Sequence, residues 1–370
     1  MIHLSTLLAE SKLKLSIPSD IRKLYKLFKK NRKQLFVVGG AVRDAILGKS
    51  PKDFDLATDA KPEEVEAIAK QGGFKTVDVG KSFGVVIVNG HEIATFRKDI
   101  GKGRRPDAVD YTDIKGDVQR RDLTINALFY DIGKGNIVDL VGGIADLKKK
   151  QIKTVGNPTA RFDEDPLRKL RAVRFSGSVG GKMHKDTWDA LKKSPDLTGV
   201  SAERIRDEFI KGIKKAQSVP NYLKMIYKLG MFKQIFPGLK VNTNFIKTND
   251  YIIQLANLLK NQHSSTVYMK LKQSKYTTQE VRDISHLLVL SELSIKALAE
   301  NIYQIKGEQQ HTKISNSQIK EWASIVGGKV MKVWNFKLSV TAKDAMAQGL
   351  KGKEIGDYMK KKEKEIFMTG

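Results

Sequence analysis

The sequence predicts an α+β head followed by an all-helical body, because its apolar pattern changes once along the chain. Before residue 157, short segments with strand character stand between glycine turns: QLFVVGG (34–40), GVVIVNG (84–90), HEIATFR (91–97) and GNIVDLVGG (135–143). From Ala160 onward, apolar residues recur at spacings of three and four, the period of a helix face, as in RKLRAVRF, NYLKMIYKLGMF, YIIQLANLLK and VRDISHLLVL. The segment GNPTARFDEDP (156–166) is the predicted junction, since Gly, Asn and Pro interrupt both patterns.

Composition limits the class of protein. The chain has 370 residues, no cysteine, and 67 Lys+Arg against 41 Asp+Glu, a formal charge of +26. Such a field attracts phosphate polymers or anionic membranes, and charge alone does not choose between them. No apolar run approaches the ~20 residues of a membrane span, and the opening MIHLSTLLAESKLKLSIPSD is too polar for a secretory signal. We therefore expect a protein of a reducing compartment, most simply the cytoplasm.

The segment 36–60 (FVVGGAVRDAILGKSPKDFDLATDA) reads as a strand, a glycine turn, a short helix and a second strand. On that second strand, alternation places Asp53 and Asp55 on one face and Phe54 and Leu56 in the core. Two carboxylates beside room for phosphate suit Mg²⁺, and two ions can activate an attacking hydroxyl while stabilising leaving pyrophosphate. The glycine turn and Arg43 can add phosphate contacts. Taken alone, the D-x-D pair fits a solvated strand end better than a metal site, since short motifs match by chance.

Two further segments offer polar groups. Glu92 lies on an alternating strand that can pair beside the aspartates, and by itself reads as a surface residue. In RRDLTINALFYD (120–131), a helix brings Asp122 and Asn126 together on one face, next to arginines able to clamp a triphosphate. A helix cap with solvated arginines is the competing interpretation.

The segment DEDPLRKLRAVRF (163–175) predicts a helix that begins near Pro166, with four polar residues at every third position along one side: Asp165, Arg168, Arg171 and Arg174. A carboxylate beside a forked donor can pair with the edge of cytosine or adenine, which offers an exocyclic amine next to a ring acceptor. A salt-bridged surface helix is the alternative.

Together and in this order, the segments resemble the class II tRNA nucleotidyltransferase and poly(A) polymerase family. GGAVRDAILG followed by DFDLAT resembles its nucleotidyltransferase signature, and RRDLTINAL its second motif. EDPLRKLRAVRF resembles the protein template for the incoming base, ERIRDEF (203–209) the motif that braces the template helix, and GRRPDAVDY (103–111) the mobile loop. The departures are Leu123, where Phe is frequent, and SGSVGGKMHKD after Phe175.

The resemblance implies a polymerase-beta-like, mixed-sheet nucleotidyltransferase head over 1–155, a helical neck that recognises the base over 156–215, and a helical body and tail that bind tRNA over 216–370. It implies Mg²⁺, two ions, bound by Asp53 and Asp55, with Glu92 as a supporting catalytic carboxylate. The implied nucleotide contacts are Gly40, Arg43, Arg121, Asp122 and Asn126 for triphosphate and sugar, Asp165 and Arg168 for the base, and Arg171 and Arg174 as braces.

The implied activity is addition of CCA to the 3′ end of tRNA from CTP and ATP, with pyrophosphate released and neither a membrane nor an obligatory protein partner. The intact RRPD loop, the tail-like LKGKEIGDYMKKKEKEIF (350–367) and the lack of a His-Asp phosphohydrolase pair favour this product. Poly(A) polymerase and partial CC- or A-adding enzymes remain the alternatives. A non-catalytic RNA-binding protein and a membrane-surface protein are the rivals from other classes.

Overall fold

The computed structural model describes residues 15–80, 83–101 and 108–369, and the chain divides into two compact units, Met1–Val200 and Ser201–Gly370. The first unit carries every described strand; the second is helical. Mixed sheet first and helices afterwards is the order that the sequence predicted.

Unit 1 is built around one seven-stranded sheet in the order β3-β4-β5-β2-β1-β8-β9. Its strands are β1 (Leu35–Val38), β2 (Asp55–Thr58), β3 (Thr76–Gly80), β4 (Val85–Val88), β5 (His91–Thr95), β8 (Leu128–Asp131) and β9 (Asn136–Asp139). Strands β2 and β5 are parallel, and the other neighbours in this sheet are antiparallel. Two small ladders complete the unit, β6 (Arg97–Ile100) with β7 (Ala108–Tyr111) and β10 (Gln151–Ile152) with β11 (Lys182–Met183).

The helices of unit 1 are α1 (Ser19–Lys30), α2 (Gly40–Ile46), α3 (Pro62–Gln71), α4 (Ile114–Gln119), α5 (Gly143–Lys148), α6 (Pro158–Glu164), α7 (Leu167–Val179) and α8 (Lys185–Lys193). The predicted junction 156–166 holds α6 and lies inside this unit. The three-part division at residues 155 and 215 stays a prediction.

The burial of strand β1 shows that the sheet is covered on both faces. Leu35 and Val37 join the core formed with α1, α2 and α3, whereas Phe36 and Val38 join a second core with Phe96 and Phe129. Because successive side chains point to opposite faces, a strand buried on both reads as a continuous apolar run. LFVV is such a run.

Unit 2 contains only helices among its described elements: α9 (Ala202–Lys215), α10 (Val219–Lys228), α11 (Phe232–Ile235), α12 (Tyr251–Leu259), α13 (Ser264–Gln273), α14 (Thr278–Glu292), α15 (Ile295–Glu300), α16 (Ile302–Gln309), α17 (Asn316–Val326), α18 (Lys329–Asn335), α19 (Ala342–Ala347) and α20 (Lys353–Thr369). At the N-termini of several of these helices, a side chain accepts a hydrogen bond from a backbone N–H of the first turn. Thr277 does so in α14 and Ser315 in α17. None of the described helices is long and apolar enough to cross a bilayer.

The polar residue Glu363 anchors the end of unit 2. Its side chain is fully buried, and its Oε1 accepts from the Ser339 and Val340 N–H groups at 2.5 and 2.6 Å. Helix α20 also contains most of the segment 350–367, which the sequence predicted to be a tail helix, and the structure confirms that it is helical.

Candidate active site

The register of β2 and β5 places two of the three predicted carboxylates, Asp55 and Glu92, side by side on adjacent interior strands. We call the end of these strands where they lie, together with Asp53 in the loop before β2, the carboxylate edge. Leu56 pairs with Ile93 in parallel, so Asp55 and Glu92 each stand one residue before a paired position. Leu56 and Ile93 enter the core on the side of α1–α3, and Asp55 and Glu92 therefore point to the opposite face. The proposed pairing of the Glu92 strand beside the aspartates is confirmed.

One detail of this prediction was wrong. Strand β2 begins at Asp55, so Asp53 lies in the preceding loop, because pairing with β1 starts only where Val38 meets Asp55. Phe54 and Leu56 are nonetheless buried while both aspartates are exposed, as the alternation predicted.

The charged groups around Asp55 change the pKa of its carboxyl. Although Asp55 is exposed at the surface, the protein around its carboxyl partly shields it from water, and this desolvation is the largest effect that raises its pKa. The negative charges of Glu92 and Asp53 raise the pKa further, while Arg121 opposes the rise. In the described part of the chain, no three His, Cys, Asp or Glu side chains meet as a preformed metal cage. The carboxylate edge therefore combines several negative charges with the Arg121 guanidinium.

The turn between β1 and α2 needs glycine at its first position. Gly39 has φ +66° and ψ −117°, a backbone conformation open in practice only to glycine. Its N–H donates to the Leu128 carbonyl of β8 at 3.0 Å, which fixes the turn against the neighbouring strand. Gly40 then begins α2, and one turn later Arg43 Nη1 donates to Asn126 Oδ1 at 2.6 Å.

Arg121 is held by a buried carboxylate that sequence reasoning missed. Asp117 is 1% exposed, and its Oδ2 accepts from Arg121 Nε and Nη2 at 3.1 and 2.9 Å. Its Oδ1 accepts from Arg120 Nε at 2.8 Å. Burial would raise the pKa of Asp117, but the two arginines lower it. The Arg121 guanidinium also lies 4.6 Å from the Phe129 ring centroid.

Asp122 and Asn126 meet, but the predicted helix between them does not exist. The chain makes a 3₁₀ turn at Thr124–Asn126 and then enters β8, because its backbone bonds instead to residues 153–155. Asn126 Nδ2 still donates to Asp122 Oδ1 at 3.3 Å. Arg171 of α7 donates to Asp122 Oδ2 at 2.7 Å, linking the second motif to the third.

The charge of Asp122 is strongly stabilised. Burial would raise the pKa of this carboxyl, but the charge and hydrogen bond of Arg171, with hydrogen bonds from Asn126 and the Leu123 N–H, lower it to about 2. Asp122 is thus an ionised anchor for Arg171.

The predicted ladder of Asp165, Arg168, Arg171 and Arg174 on one helix side was wrong in its first member. Asp165 precedes α7 in an extended conformation, because α6 ends there and Pro166 caps the new helix. Its Oδ1 accepts from the Leu167 N–H at 3.2 Å. Leu167, Leu170 and Val173 are buried on the other side, as predicted.

Arg168 borders a cavity of about 290 Å³ that Lys98, Arg120 and Arg161 also line. Arg168 Nη1 donates to Glu164 Oε2 at 2.6 Å, and its Nη2 donates to the Arg120 carbonyl at 2.9 Å. Asp165 is not among the residues that line this cavity. The two residues implied in base recognition therefore have different surroundings.

Three arginines surround Phe175, a second residue that the sequence reasoning did not single out. Its ring is 5% exposed and lies 5.0, 5.5 and 3.9 Å from the guanidinium carbons of Arg43, Arg171 and Arg174. Arginine faces stack well on aromatic rings. Phe175 therefore joins the glycine turn, the Asp122 anchor and α7 in one cluster.

Two further motifs were predicted from the sequence. The RRPD sequence of the predicted loop 103–111 lies outside the described residues. ERIRDEF (203–209) lies within α9, the first helix of unit 2, where Phe209 is fully buried among Tyr222, Phe232 and Phe236.

Two protein-family profiles match the chain. Residues 35–153 match "Poly A polymerase head domain", and residues 181–242 match "Probable RNA and SrmB- binding site of polymerase A". The first range contains the carboxylate edge, Arg43 and the second motif.

Individual relatives agree over different lengths. The chain is 34% identical to the CCA-adding enzyme of Ligilactobacillus salivarius, over 95% of this chain and 93% of that protein. Identity to the CCA-adding enzyme of Bacillus pumilus is 41%, over 56% of this chain and 52% of that protein. The solved structure of the Bacillus stearothermophilus CCA-adding enzyme in complex with CTP is 25% identical in sequence to this chain. The two structures superpose over 95% of this chain and 93% of that enzyme, with a TM-score of 0.68.

Proposed function

The chain belongs to the family of CCA-adding enzymes, and we propose that it adds C, C and A to the 3′ end of tRNA, using CTP and ATP and releasing pyrophosphate. The observation that carries the proposal is the placement of Asp55 and Glu92 side by side on adjacent strands, with Asp53 and Arg121 near enough for their charges to act on Asp55. Acids able to bind metal ions and an arginine able to bind phosphate are the two requirements of nucleotidyl transfer.

The proposed metal ligands are Asp53 and Asp55, and the proposed ions are two Mg²⁺. Their fit is supported by the position of Asp55 beside Glu92 on adjacent strands and by the negative charges of Glu92 and Asp53, which add to the effect of burial in raising the pKa of Asp55. Two carboxylates without a complete protein cage suit Mg²⁺, which commonly completes its shell with water and substrate phosphates. When bound, such ions supply charge stabilisation at the α-phosphate and at the leaving oxygens.

The chain's own residues position the nucleotide. We assign triphosphate contacts to the Gly40 backbone, Arg43 and Arg121, since each lies beside the β1–α2 turn or the carboxylate edge. Asp122 and Asn126 orient Arg171 and Arg43 through hydrogen bonds, and Arg174 is stacked on Phe175. In this scheme the tRNA 3′-hydroxyl attacks the α-phosphate while the arginines hold the pyrophosphate.

Base recognition by Asp165 and Arg168 is part of the proposal. Arg168 borders a small cavity, which supports a contact with the base. Three of its bonds go to Glu164 and to the Arg161 and Arg120 carbonyls. A guanidinium has five N–H donors, so Arg168 can read a base with the other donors while these bonds hold it in place. The cytoplasm is the proposed place of action, since a cysteine-free chain has no disulfides to form.

The deciding experiment gives purified protein a tRNA that lacks its 3′ CCA, with CTP alone, ATP alone or both. Growth by three nucleotides with both substrates, followed by arrest, supports the proposal. A long ladder with ATP alone identifies a poly(A) polymerase. Arrest after two residues identifies a CC-adding enzyme, and growth only on a tRNA ending in CC identifies an A-adding enzyme.

A further inference from the structure

Arg43 and Asp44, two neighbouring residues of α2, form an ion pair beside the β1–α2 turn. Arg43 Nε and Nη2 both donate to Asp44 Oδ1, at 2.9 and 2.7 Å. The Arg43 side chain is 14% exposed and that of Asp44 is 35% exposed, so the pair is partly enclosed by the protein. Arg43 has a proposed phosphate contact, whereas Asp44 has had no role so far.

Helix geometry alone does not produce this pair. Consecutive residues of a helix point about 100° apart and do not face each other. Arg43 reaches Asp44 because its long side chain bends sideways along the surface of α2. An arginine side chain has many rotamers and loses much conformational freedom when it is fixed. The Asp44 carboxylate therefore selects one direction for the Arg43 side chain.

Two other contacts hold the same guanidinium. Asn126 Oδ1 accepts from Arg43 Nη1 at 2.6 Å, and the Phe175 ring centroid lies 5.0 Å from the guanidinium carbon. Asp44, Asn126 and Phe175 belong to α2, the 3₁₀ turn and α7, three separate elements. Hydrogen bonds on Nε, Nη1 and Nη2 together fix both the position and the rotation of the guanidinium plane.

The guanidinium that is held in this way keeps donors for a ligand. It has five N–H groups, and the three hydrogen bonds use three of them. Among the residues that the structure describes, these bonds leave one N–H on each Nη. A Cβ added at Gly40 would lie 3.7 Å from Arg43 Nη2, so this nitrogen is beside the proposed phosphate-binding backbone. Two N–H donors in a fixed plane suit a phosphate group.

The charge of Asp44 by itself opposes the binding of a triphosphate. A carboxylate beside a phosphate-binding arginine offsets part of its positive charge and repels the anionic ligand. Asp44 therefore favours phosphate binding only if its fixing of Arg43 outweighs this repulsion. The two effects have opposite signs, so an experiment can separate them.

We propose that Asp44 is a positioning residue, which holds the Arg43 guanidinium in the orientation that binds the triphosphate of CTP or ATP. The proposal rests on the proposed function above, because that function assigns a triphosphate contact to Arg43. Asp44 itself contacts no substrate and acts through Arg43.

The first test compares Asp44→Ala, which removes the acceptor and the charge, with Asp44→Asn, which removes the charge and keeps an acceptor oxygen. We expect Asp44→Ala to raise the KM for CTP and ATP about tenfold with kcat within about twofold of wild type, since it weakens substrate binding alone. Asp44→Asn should keep most of the affinity, because its oxygen still accepts from Arg43. A lower KM in Asp44→Ala would show that Asp44 acts only by repulsion and would overturn the proposal.

Asp189→Ala is the matched control, because it removes the carboxylate of an exposed ion pair with Lys185 on α8 of the same unit. Its KM values should equal those of wild type. Circular dichroism establishes that each variant is folded. Should Asp44→Ala misfold, Asp44→Leu takes its place, since leucine has a similar shape and no acceptor.

A double-mutant cycle tests whether Asp44 acts through Arg43, with the dissociation constant for CTP as the readout. In an Arg43→Ala background, Asp44→Ala should change this constant by less than about twofold, because the residue that Asp44 holds is gone. Equal increases with and without Arg43 would make the role of Asp44 purely structural and overturn the proposal.

Direct CTP binding also separates this proposal from the proposed function. If the wild-type protein binds CTP and does not extend tRNA, the proposed function fails, and the cycle still decides the role of Asp44. If the wild-type protein extends tRNA and Asp44→Ala changes neither the KM nor the dissociation constant, only the proposal for Asp44 fails.

Discussion

Asp55 is the residue whose loss should most reduce catalysis. We expect Asp55→Asn to slow nucleotide addition by about 10³-fold or more, because a metal ligand and several kcal/mol of charge stabilisation are lost. Affinity for tRNA should change little, since no phosphate-binding cation is removed. Single-turnover incorporation of CTP and a separate filter-binding assay measure the two quantities.

A matched control is Asp78→Asn, which removes an exposed carboxylate from β3 of the same sheet. Its rate should stay within about twofold of wild type, as is usual for surface substitutions. An Asp55→Asn protein that still extends RNA at the wild-type rate would remove the basis for the metal assignment.

The lowered pKa of Asp122 predicts how the stability of the fold depends on pH. Its pKa is about 2 in the folded protein against an ordinary value of 3.8, so the unfolded chain binds the proton more readily. The charged pair with Arg171 therefore stabilises the fold above about pH 4, and this contribution, about 2 kcal/mol, is lost as the pH falls from there towards 2.

Urea unfolding of wild type and Asp122→Asn between pH 2.5 and 7 tests this. The difference in unfolding free energy between the two proteins should be largest at neutral pH and shrink below pH 4. A difference that is constant across this range would show that the Asp122 charge does not contribute. Arg171→Gln should reproduce the loss at neutral pH, since it removes the same ion pair.

The sequence identified residues that carry charges in short motifs, but it did not identify the buried residues that hold them in place. Asp55, Arg43 and Arg121 belong to short motifs with charges at chemically informative spacings. Asp117 and Phe175 act by holding those residues, and a buried supporting carboxylate or ring has no signature of its own. The i,i+4 spacing of Asp117 and Arg121 was the available signal, although such pairs are common on surface helices.

At the scale of single elements, the β1–α2 turn depends on Gly39. We expect Gly39→Ala to destabilise the protein by about 1–3 kcal/mol, because alanine is strained at its backbone angles. The added methyl has space, with its nearest neighbours at 3.6 and 3.7 Å, so the cost is conformational. The KM for CTP should also rise about tenfold, since the turn carries the proposed phosphate-binding backbone.

Gly48→Ala provides the control, because Gly48 also has a positive φ, +71°, and has nothing within 4 Å of an added Cβ. It should lower the unfolding free energy without changing KM. Equal KM increases in both variants would show that the effect of Gly39 arises from instability alone. Thermal unfolding and steady-state kinetics supply the two readouts.

The Phe175 ring packs against the arginines of helix α7 and fixes their positions. We expect Phe175→Leu to raise the KM for CTP and ATP about tenfold with a smaller change in kcat, because Arg43 and Arg174 lose the ring that fixes them. Phe162→Leu is the matched control. Phe162 is 2% exposed in the same unit, and the arginine–ring contacts described above involve Phe175 and Phe129 instead.

The two variants should lose similar stability, and only the first should lose substrate affinity. Phe175→Tyr, which keeps an aromatic face, should restore most of the affinity. A KM rise of the same size in Phe162→Leu would make the role of Phe175 purely structural.

The elements predicted from the sequence are those that show either a continuous apolar run or a single apolar period along their length. Strands β1, β4, β5 and β9 and helices α7, α10, α12 and α14 were identified from such patterns. The two-residue strands β10 and β11 are too short to show a period, and their pairing comes from backbone contacts between distant segments. The 3₁₀ turn at Thr124–Asn126 likewise exists because tertiary hydrogen bonds override a helix-compatible spacing.

For the molecule as a whole, the informative property is the charge of +26, which predicts how tRNA affinity responds to salt. Neutralising phosphates releases condensed counterions, so binding weakens steeply as salt rises. A protein that contacts 6 to 10 phosphates loses on the order of 10³ to 10⁵ in affinity between 50 and 200 mM salt. We expect this protein to fall in that range.

Fluorescence anisotropy with labelled tRNA at several KCl concentrations and constant Mg²⁺ measures the slope. CTP is the internal control, because a single triphosphate has few charges and its KM should respond far less to KCl. A tRNA dissociation constant that stayed flat across this range would mean that the basic surface does not hold the RNA backbone. A strong slope with an unchanged rate at saturating tRNA would show that the charge acts on binding, while the chemistry depends on the carboxylate edge of unit 1.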